Sequence, residues 1–470
     1  MDRLTPLAAA FLDAEDVDPA ASLAIGSFTV FEGPTPDFEE FVRSIEGRLP
    51  LIPRYRQKVR NVPFDLAAPA WVDDPDFDVR WHVRNTALPA PGGPEEVGRL
   101  MSRVMSRRMD RSRPLWEYWF VEGLPDGQWG IISKLHHCLA DGVSGSDLFH
   151  LVLDTSPTPR APVPDTWAPA PPGSTLAFTG AAVRDLLLSP VYGAGLLLKA
   201  LGAPRRLARS AGAAATGLLV LSGAVRPVHE SSLTGPADGS RRYAWTELSL
   251  DDVREVRKAF GVTVNDVALA AVTGGFRRLL LSRGERPDAH AVRTLVPVST
   301  REPGTESVTD NQVSLMLPFL PVDEPDPEQR LRQVRRRILE LRYGHEPEAG
   351  ETITTAARIG PFGPVSWAIR TGFRLPQRQV ATVTTNVPGP QETLYGLGRE
   401  VTGMLPYVPI ADRVRIGIAM FSYRGTLTFG VTGDYATAPD IDVLADGIAA
   451  SAAELVDLAR RRTAEGRAQT

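Results

Sequence analysis

Two adjacent histidines, His136 and His137, stand three residues ahead of an Asp141-Gly142 pair in the stretch LHHCLADGVSGSDLF. A neutral imidazole, with an ordinary pKa of about 6.5, can take a proton from an attacking group at cellular pH, which is general-base chemistry. In QWGIISKLHH the two-residue period of a strand would send His136 and His137 to opposite faces, so one at most looks into any given channel. Asp141-Gly142 is a turn signal, and Ser144 with Asp147 resembles a capping box opening a helix over SGSDLFHLVLD. The plainer alternative makes both imidazoles structural and Asp141 a turn former. Crowding at a strand-to-loop-to-helix junction favours chemistry, because rigid flanks hold a catalytic group and a loop exposes it. Metal ligation is less attractive, since no HxxxH or CxxC spacing supplies further ligands. Nothing marks the single cysteine, Cys138, as an activated nucleophile.

Three further clusters draw notice. Pro114-Leu115-Trp116 carries no titrating side chain and reads as packing along a substrate path. Asn265-Asp266 opens a strong helical pattern, where a capping Asn or Asp satisfies free amides at about 1 kcal/mol. Asn386-Val387-Pro388-Gly389-Pro390 follows a strand pattern and stiffens a turn.

The elements that must position these groups read as mixed α/β. ASLAIGSFTVFEG suggests a strand, DFEEFVRSIEGRL and EEVGRLMSRVMSRRMD suggest helices, and QWGIISKLHH is a strand. SPTPRAPVPDTWAPAPPG, 156–173, is too rich in proline for either and reads as an extended linker. A helical stretch over 175–228 follows, broken near Pro190 and Pro204 and too interrupted to span a bilayer. It suits a connector packed on the body, or a helix resting on a lipid surface. Beyond about 240, RRYAWTELSL, AVRTLVPVST, QVSLMLPFLP, VATVTTNVP, VRIGIAMFSY and TLTFGVTGD read as strands. DDVREVRKAFG, VNDVALAAVTGGFRRLLLSRG, PEQRLRQVRRRILELRYG and the chain end read as helices. The expected organisation is a first unit over 1–155, a proline-rich and helical connector over 156–235, and a second α/β unit over 236–470.

The totals set limits. A chain of 470 residues exceeds what one hydrophobic core usually organises. With 52 basic and 56 acidic side chains the net charge is −4, which invites no nucleic acid. One cysteine excludes an intrachain disulfide and agrees with a reducing compartment. The opening MDRLTPLAAAFLDAEDVDP has too short an apolar run for a secretory signal, so a cytoplasmic site is expected.

HHxxxDG resembles the signature of acyltransferases sharing the chloramphenicol-acetyltransferase-like fold, among them the condensation domains of peptide synthetases. The order LTPLAAAFLDAED, LPLIPRYRQKV, PAWVDDPDFDVRWHV, MDRSRPLWEYWFVEGL, KLHHCLADGVSG, LTGP, VTVNDVALAAVTGG, LVPVSTR and TNVPGP narrows the similarity. In combination it resembles the bacterial wax ester synthase/diacylglycerol acyltransferase family over nearly the whole chain. Asp310 precedes Asn311 where the family pattern has Gly-Asn, a departure at that turn.

The resemblance implies two acetyltransferase-like halves, each a mixed sheet flanked by helices. It implies transfer of a long-chain acyl group from acyl-CoA to the hydroxyl of diacylglycerol or a fatty alcohol, with no cofactor because acyl-CoA is a substrate. It gives the base role to His137, leaves His136 supporting, and has Asp141, followed by Gly142, hold the loop through an arginine. It makes Asn265 and Asp266 sensitive positions. For such a reaction Asn386 is a candidate donor to the thioester oxygen, with a structural Asn as the alternative. Direct transfer without an acyl-enzyme is expected, both substrates meeting at His137 in a tunnel between the halves. Work at a membrane or lipid-droplet surface follows from the apolar substrates. The rivals are a condensation enzyme using carrier-bound acyl groups and a silent lipid-binding protein on the same scaffold.

Overall fold

The computed structural model describes residues 2–63, 66–140, 152–171, 178–180, 183–184, 228–229, 231–299, 313–343, 379–411 and 413–468. Asp141, Gly142, Ser144, Asp147, the Asp310-Asn311 step and nearly all of 175–228 lie outside the described residues.

The chain opens with α1 (Pro6–Val17), started by Thr5, whose hydroxyl accepts the Ala8 N–H at 3.1 Å. Then follow β1 (Ala24–Phe31), α2 (Phe38–Glu46), β2 (Gln57–Arg60), β3 (Ala70–Asp73), α3 (Val79–His82), β4 (Val83–Ala87), α4 (Pro94–Ser106), β5 (Trp116–Glu122), β6 (Trp129–His136) and α5 (His137–Ala140). The later part supplies β7 (Arg241–Ser249), α6 (Leu250–Phe260), α7 (Val264–Ser282), β8 (Thr294–Ser299), β9 (Val313–Met316), α8 (Pro327–Tyr343), β10 (Thr382–Val387), β11 (Tyr395–Gly396), β12 (Arg399–Tyr407), β13 (Ile416–Tyr423), β14 (Thr426–Asp434) and α9 (Ile441–Ala468).

Two six-stranded sheets organise these elements. The first runs β11-β12-β1-β6-β5-β4, so β6 lies between β1 and β5 with Ala24 opposite His136 and Trp116 opposite Leu135. Its β11 and β12 come from the far end of the chain, and β12 pairs antiparallel with β1. The second sheet runs β7-β14-β13-β10-β8-β9, with β10 parallel to both β13 and β8. The architecture is therefore mixed α/β with two helix-flanked sheets, as the strand and helix patterns imply.

Apolar periodicity explains how the helices cover the sheets. On α4, Val97, Leu100, Met101, Val104 and Met105 form one buried face in the core of the first sheet. At the edge of that face is buried Gly98, where a Cβ would stand 2.7 Å from the Tyr243 carbonyl oxygen, so glycine lets α4 sit directly on β7. α7 is buried on all sides from Val267 to Gly275, and at its contact with α9 a Cβ on Gly275 would stand 2.7 Å from Ile448 Cγ1.

Residues 156–171 form neither helix nor strand. They are extended, as the proline content requires, and are pinned to the body. The Val163 N–H donates to the Gly47 carbonyl at 2.8 Å, and Arg56 donates to both carboxylate oxygens of Asp165 at 2.9 and 2.5 Å. Just upstream, Arg48 meets Asp154 at 2.6 Å with both side chains buried, and Asp154 exchanges two 2.8 Å backbone hydrogen bonds with Tyr395 of β11.

Candidate active site

Strand β6 delivers the histidine pair to the end of the first sheet. It stops at His136, and His137 begins the short helical turn α5, which corrects the expectation of a strand through both residues. The alternation of a strand therefore does not set the two rings apart. Two backbone hydrogen bonds fix the junction: His136 N–H donates to the Leu115 carbonyl at 3.0 Å, and His137 N–H donates to the Leu23 carbonyl at 3.0 Å. The neighbouring strands on either side thus clamp consecutive residues.

The His136 ring is buried at 1% exposure, and its Nδ1 accepts the Cys138 N–H at 3.2 Å. An accepting Nδ1 leaves the proton of the neutral ring on Nε2, which lies 3.3 Å from Glu15 Oε1, within ion-pair distance but off the line of an ideal hydrogen bond. His136 therefore bridges α1 to the first amides of α5. His137 is half-buried, and its ring stacks on Phe11 with centroids 3.9 Å apart and planes at 24°. Phe11 and Glu15 are four residues apart on α1, so one helical face meets both imidazoles.

Glu15 is itself closely held. Its carboxylate accepts the Leu23 N–H at 2.7 Å and Arg111 Nη2 at 3.0 Å. Burial pushes its pKa up, but the His136 contact, the Leu23 amide and Arg111 outweigh that and bring it down to about 2. Arg111 also reaches Asp16 at 2.7 Å and the Leu12 carbonyl at 2.9 Å, while Arg108 donates to the Ala21 carbonyl at 2.7 Å and to the Glu15 carbonyl at 2.5 Å. The loop leading into β5 thus locks α1 against the histidines.

Pro114, Leu115 and Trp116 are all buried. The Leu115 carbonyl is the His136 anchor. The Trp116 ring lies between Tyr55, centroids 4.7 Å apart, and His82, 4.5 Å apart, and its indole N–H donates to the Tyr55 carbonyl at 2.8 Å. His82 Nδ1 faces the Trp116 carbonyl at 2.8 Å, and burial lowers the His82 pKa to about 4, so the ring is neutral and Nδ1 donates. Cys138 is buried at 2% exposure.

Asn265 and Asp266 stand in the first turn of α7, but neither is the cap. Thr263 takes that place, with extended backbone (φ −94°, ψ 162°) and its hydroxyl accepting the Asp266 N–H at 3.1 Å. Asp266 closes the box by accepting the Thr263 N–H at 2.8 Å. Freed from capping, Asn265 accepts through Oδ1 from Asn386 Nδ2 at 3.2 Å. The predicted residues thus gather in two sets: His136, His137 and Leu115 at the end of β6, and Asn265 with Asn386 where α7 meets β10. Phe11, Glu15, Leu23 and Arg111 are the members that sequence reasoning missed. Phe11 and Glu15 carry a signal in their four-residue spacing after the Thr5-Pro6 helix start, whereas Leu23 and Arg111 carry none.

Residues 4–268 match the wax ester synthase/diacylglycerol acyltransferase catalytic domain, and residues 309–456 match the C-terminal domain of the same family. A probable diacylglycerol O-acyltransferase of Mycobacterium tuberculosis strain H37Rv is 45% identical over 464 residues, covering 98% of this chain and 97% of its own. The structure of the wax ester synthase/diacylglycerol acyltransferase from Marinobacter aquaeolei VT8 superposes with a TM-score of 0.69 at 25% identity, covering 98% of this chain and all of that one. The first condensation domain of the CDA synthetase shares the fold, with a TM-score of 0.56 at 16% identity over 97% of each chain. Motif order, fold and these matches agree: the chain belongs to the wax ester synthase/diacylglycerol acyltransferase family.

Proposed function

We propose that this chain is an O-acyltransferase that moves a long-chain fatty acyl group from acyl-CoA to a lipid hydroxyl, making triacylglycerol from diacylglycerol, wax ester from a fatty alcohol, or both. The observation that carries the reading is the division of labour between the two histidines. His136 is buried, accepts the Cys138 N–H at Nδ1 and turns Nε2 towards Glu15, which suits a brace. His137 is half-buried, fixed by its backbone and stacked on Phe11, which suits the base.

In the proposed step the acceptor hydroxyl oxygen attacks the thioester carbonyl carbon while His137 takes the hydroxyl proton. The C–S bond then breaks, and the thiolate leaves with the proton returned by the imidazolium. The products are an ester and free CoA, and no acyl-enzyme forms. Asp141 and Gly142 are assigned to shaping the loop beyond α5. Asn386, held by Asn265, is the candidate donor to the carbonyl oxygen.

The same proposal includes two lobes over 1–155 and 236–470 with a connector between, the β11-β12 ribbon tying the later lobe to the first sheet. Among the described residues no single helix is long and apolar enough to cross a membrane. Peripheral association with a membrane or lipid-droplet surface, from the cytoplasmic side, is the proposed working location. The test is incubation of the purified protein with palmitoyl-CoA and a panel of diacylglycerols and fatty alcohols, with products separated by lipid chromatography. Ester formation is expected; absence of any ester with every acceptor would overturn the proposal.

A further inference from the structure

A groove of about 990 Å³ runs between α4 and β7, with Tyr435 at its side. A recess of that size is in the range of small-molecule sites. Its wall is cationic in a graded way. Arg99, near the start of α4, is taken up by Glu95 at 3.2 Å and Glu96 at 2.8 Å. Arg103 and Arg107, one and two turns further along, are exposed, and among the described residues no carboxylate lies within ion-pair distance of either. Across the groove the Arg242 guanidinium stacks 4.1 Å above the Tyr435 ring and donates from Nε to the Tyr435 carbonyl at 3.0 Å. Glu95 and Asp442 are the acids on the wall. Tyr435 is 51% exposed, and Trp245 on β7 also faces the groove.

The cationic end is fastened to the catalytic histidines. The buried Lys134 ammonium donates to the carbonyls of Val104 at 2.8 Å and Arg107 at 2.5 Å, and Lys134 lies two residues, about 7 Å along the strand, before His136. The Ser22 hydroxyl meets the Met105 and Arg107 carbonyls at 3.2 Å, and Ser22 precedes Leu23, whose carbonyl holds the His137 N–H. The Ser106 hydroxyl accepts the Arg241 N–H at 2.9 Å, closing the floor between α4 and β7.

We propose that this groove holds the phosphorylated nucleotide end of coenzyme A, with Arg103, Arg107 and Arg242 on the phosphates and Tyr435 and Trp245 beside the adenine. The inference rests on acyl-CoA being the donor. Planar guanidiniums pair with phosphate oxygens in a fork geometry, and exposed aromatic faces take a base at little ordering cost. Arginines alone would suit any phosphate; the aromatic rings favour a nucleotide over a bare anion or a lipid headgroup. The pantetheine arm would then run past the end of α4 towards His137.

The test is binding, which needs no turnover. Isothermal titration of the full-length protein with coenzyme A, 3′,5′-ADP and inorganic pyrophosphate is compared with Arg103→Ala/Arg107→Ala and with Tyr435→Leu, each checked for fold by circular dichroism. The double arginine variant is expected to weaken coenzyme A and 3′,5′-ADP at least tenfold. Tyr435→Leu should weaken 3′,5′-ADP and leave pyrophosphate unchanged. Wild-type affinity for coenzyme A in the double variant, or pyrophosphate and anionic phospholipid vesicles competing as well as 3′,5′-ADP, would overturn the proposal. Arginine-dependent coenzyme A binding without any acyl transfer would sink the acyltransferase reading and leave this one standing.

Discussion

Replacing Glu15 by glutamine separates the charge of this carboxylate from its shape. The side chain is 2% exposed and touches the Leu23 amide, Arg111 and His136. Its pKa falls from 4.5 to about 2, a depression equivalent to about 3 kcal/mol in favour of the ionised folded state. Glutamine keeps an acceptor for Leu23 but loses the negative charge that attracts Arg111 and faces the His136 Nε2 proton. A loss of about 2 to 3 kcal/mol at neutral pH is expected. The sign of the pH dependence follows from the lowered folded-state value. The contribution is complete above the unfolded pKa near 4.5 and fades as pH falls towards about 2, so the wild type should lose its advantage over Glu15→Gln across that window. Urea midpoints followed by tryptophan fluorescence at a series of pH values measure this. A slackened His136 would also shift the start of α5, and displacing His137 by about 1 Å is expected to lower kcat on the order of 10²-fold. Equal midpoints at neutral pH, or a gap that does not narrow on acidification, would refute the assignment of Glu15 as the brace.

Other consequences are equally direct. His82 has its pKa lowered to about 4 by burial, so between 6.5 and that value the unfolded chain binds a proton the folded one refuses. Wild-type stability should therefore fall on acidification through this window more steeply than that of His82→Phe, which keeps the stack on Trp116; parallel midpoints would contradict it. Thr263→Ala should cost about 1 kcal/mol in thermal or urea unfolding by removing the α7 cap, whereas Asn265→Ala should cost the helix start little. A double-mutant cycle on Asn265 and Asn386 should return a coupling of about 1 kcal/mol in stability; additivity would mean that the 3.2 Å contact is not formed in solution.

Much of the fold can be read locally. β7, α6, α7 and β14 follow from period and punctuation, and Gly261, at φ 64°, ends α6 where the sequence places a stop. The helix beyond it starts at Val264, where VNDVALAAV places it, but the cap is Thr263 and not the Asn265-Asp266 pair. The cap must be extended, which a β-branched threonine tolerates well, and the Thr-x-x-Asp box was present. The pairing of β12 with β1 was not legible, since hundreds of residues separate the strands and only tertiary burial decides which edge a strand joins. The brace of the candidate site fails to show for the same reason. Nothing near Glu15 in the chain announces Arg111 or His136; α1 reads as a short alanine-rich opening until the loop before β5 closes over it.

The proposed chemistry depends most on His137. Single-turnover transfer from palmitoyl-CoA to a saturating acceptor, comparing wild type with His137→Ala after circular dichroism has shown both to be folded, tests it most directly. A drop on the order of 10² to 10⁴ in the rate of ester formation is expected from losing a general base. A His137→Ala protein that forms ester within about threefold of the wild-type rate would contradict the account.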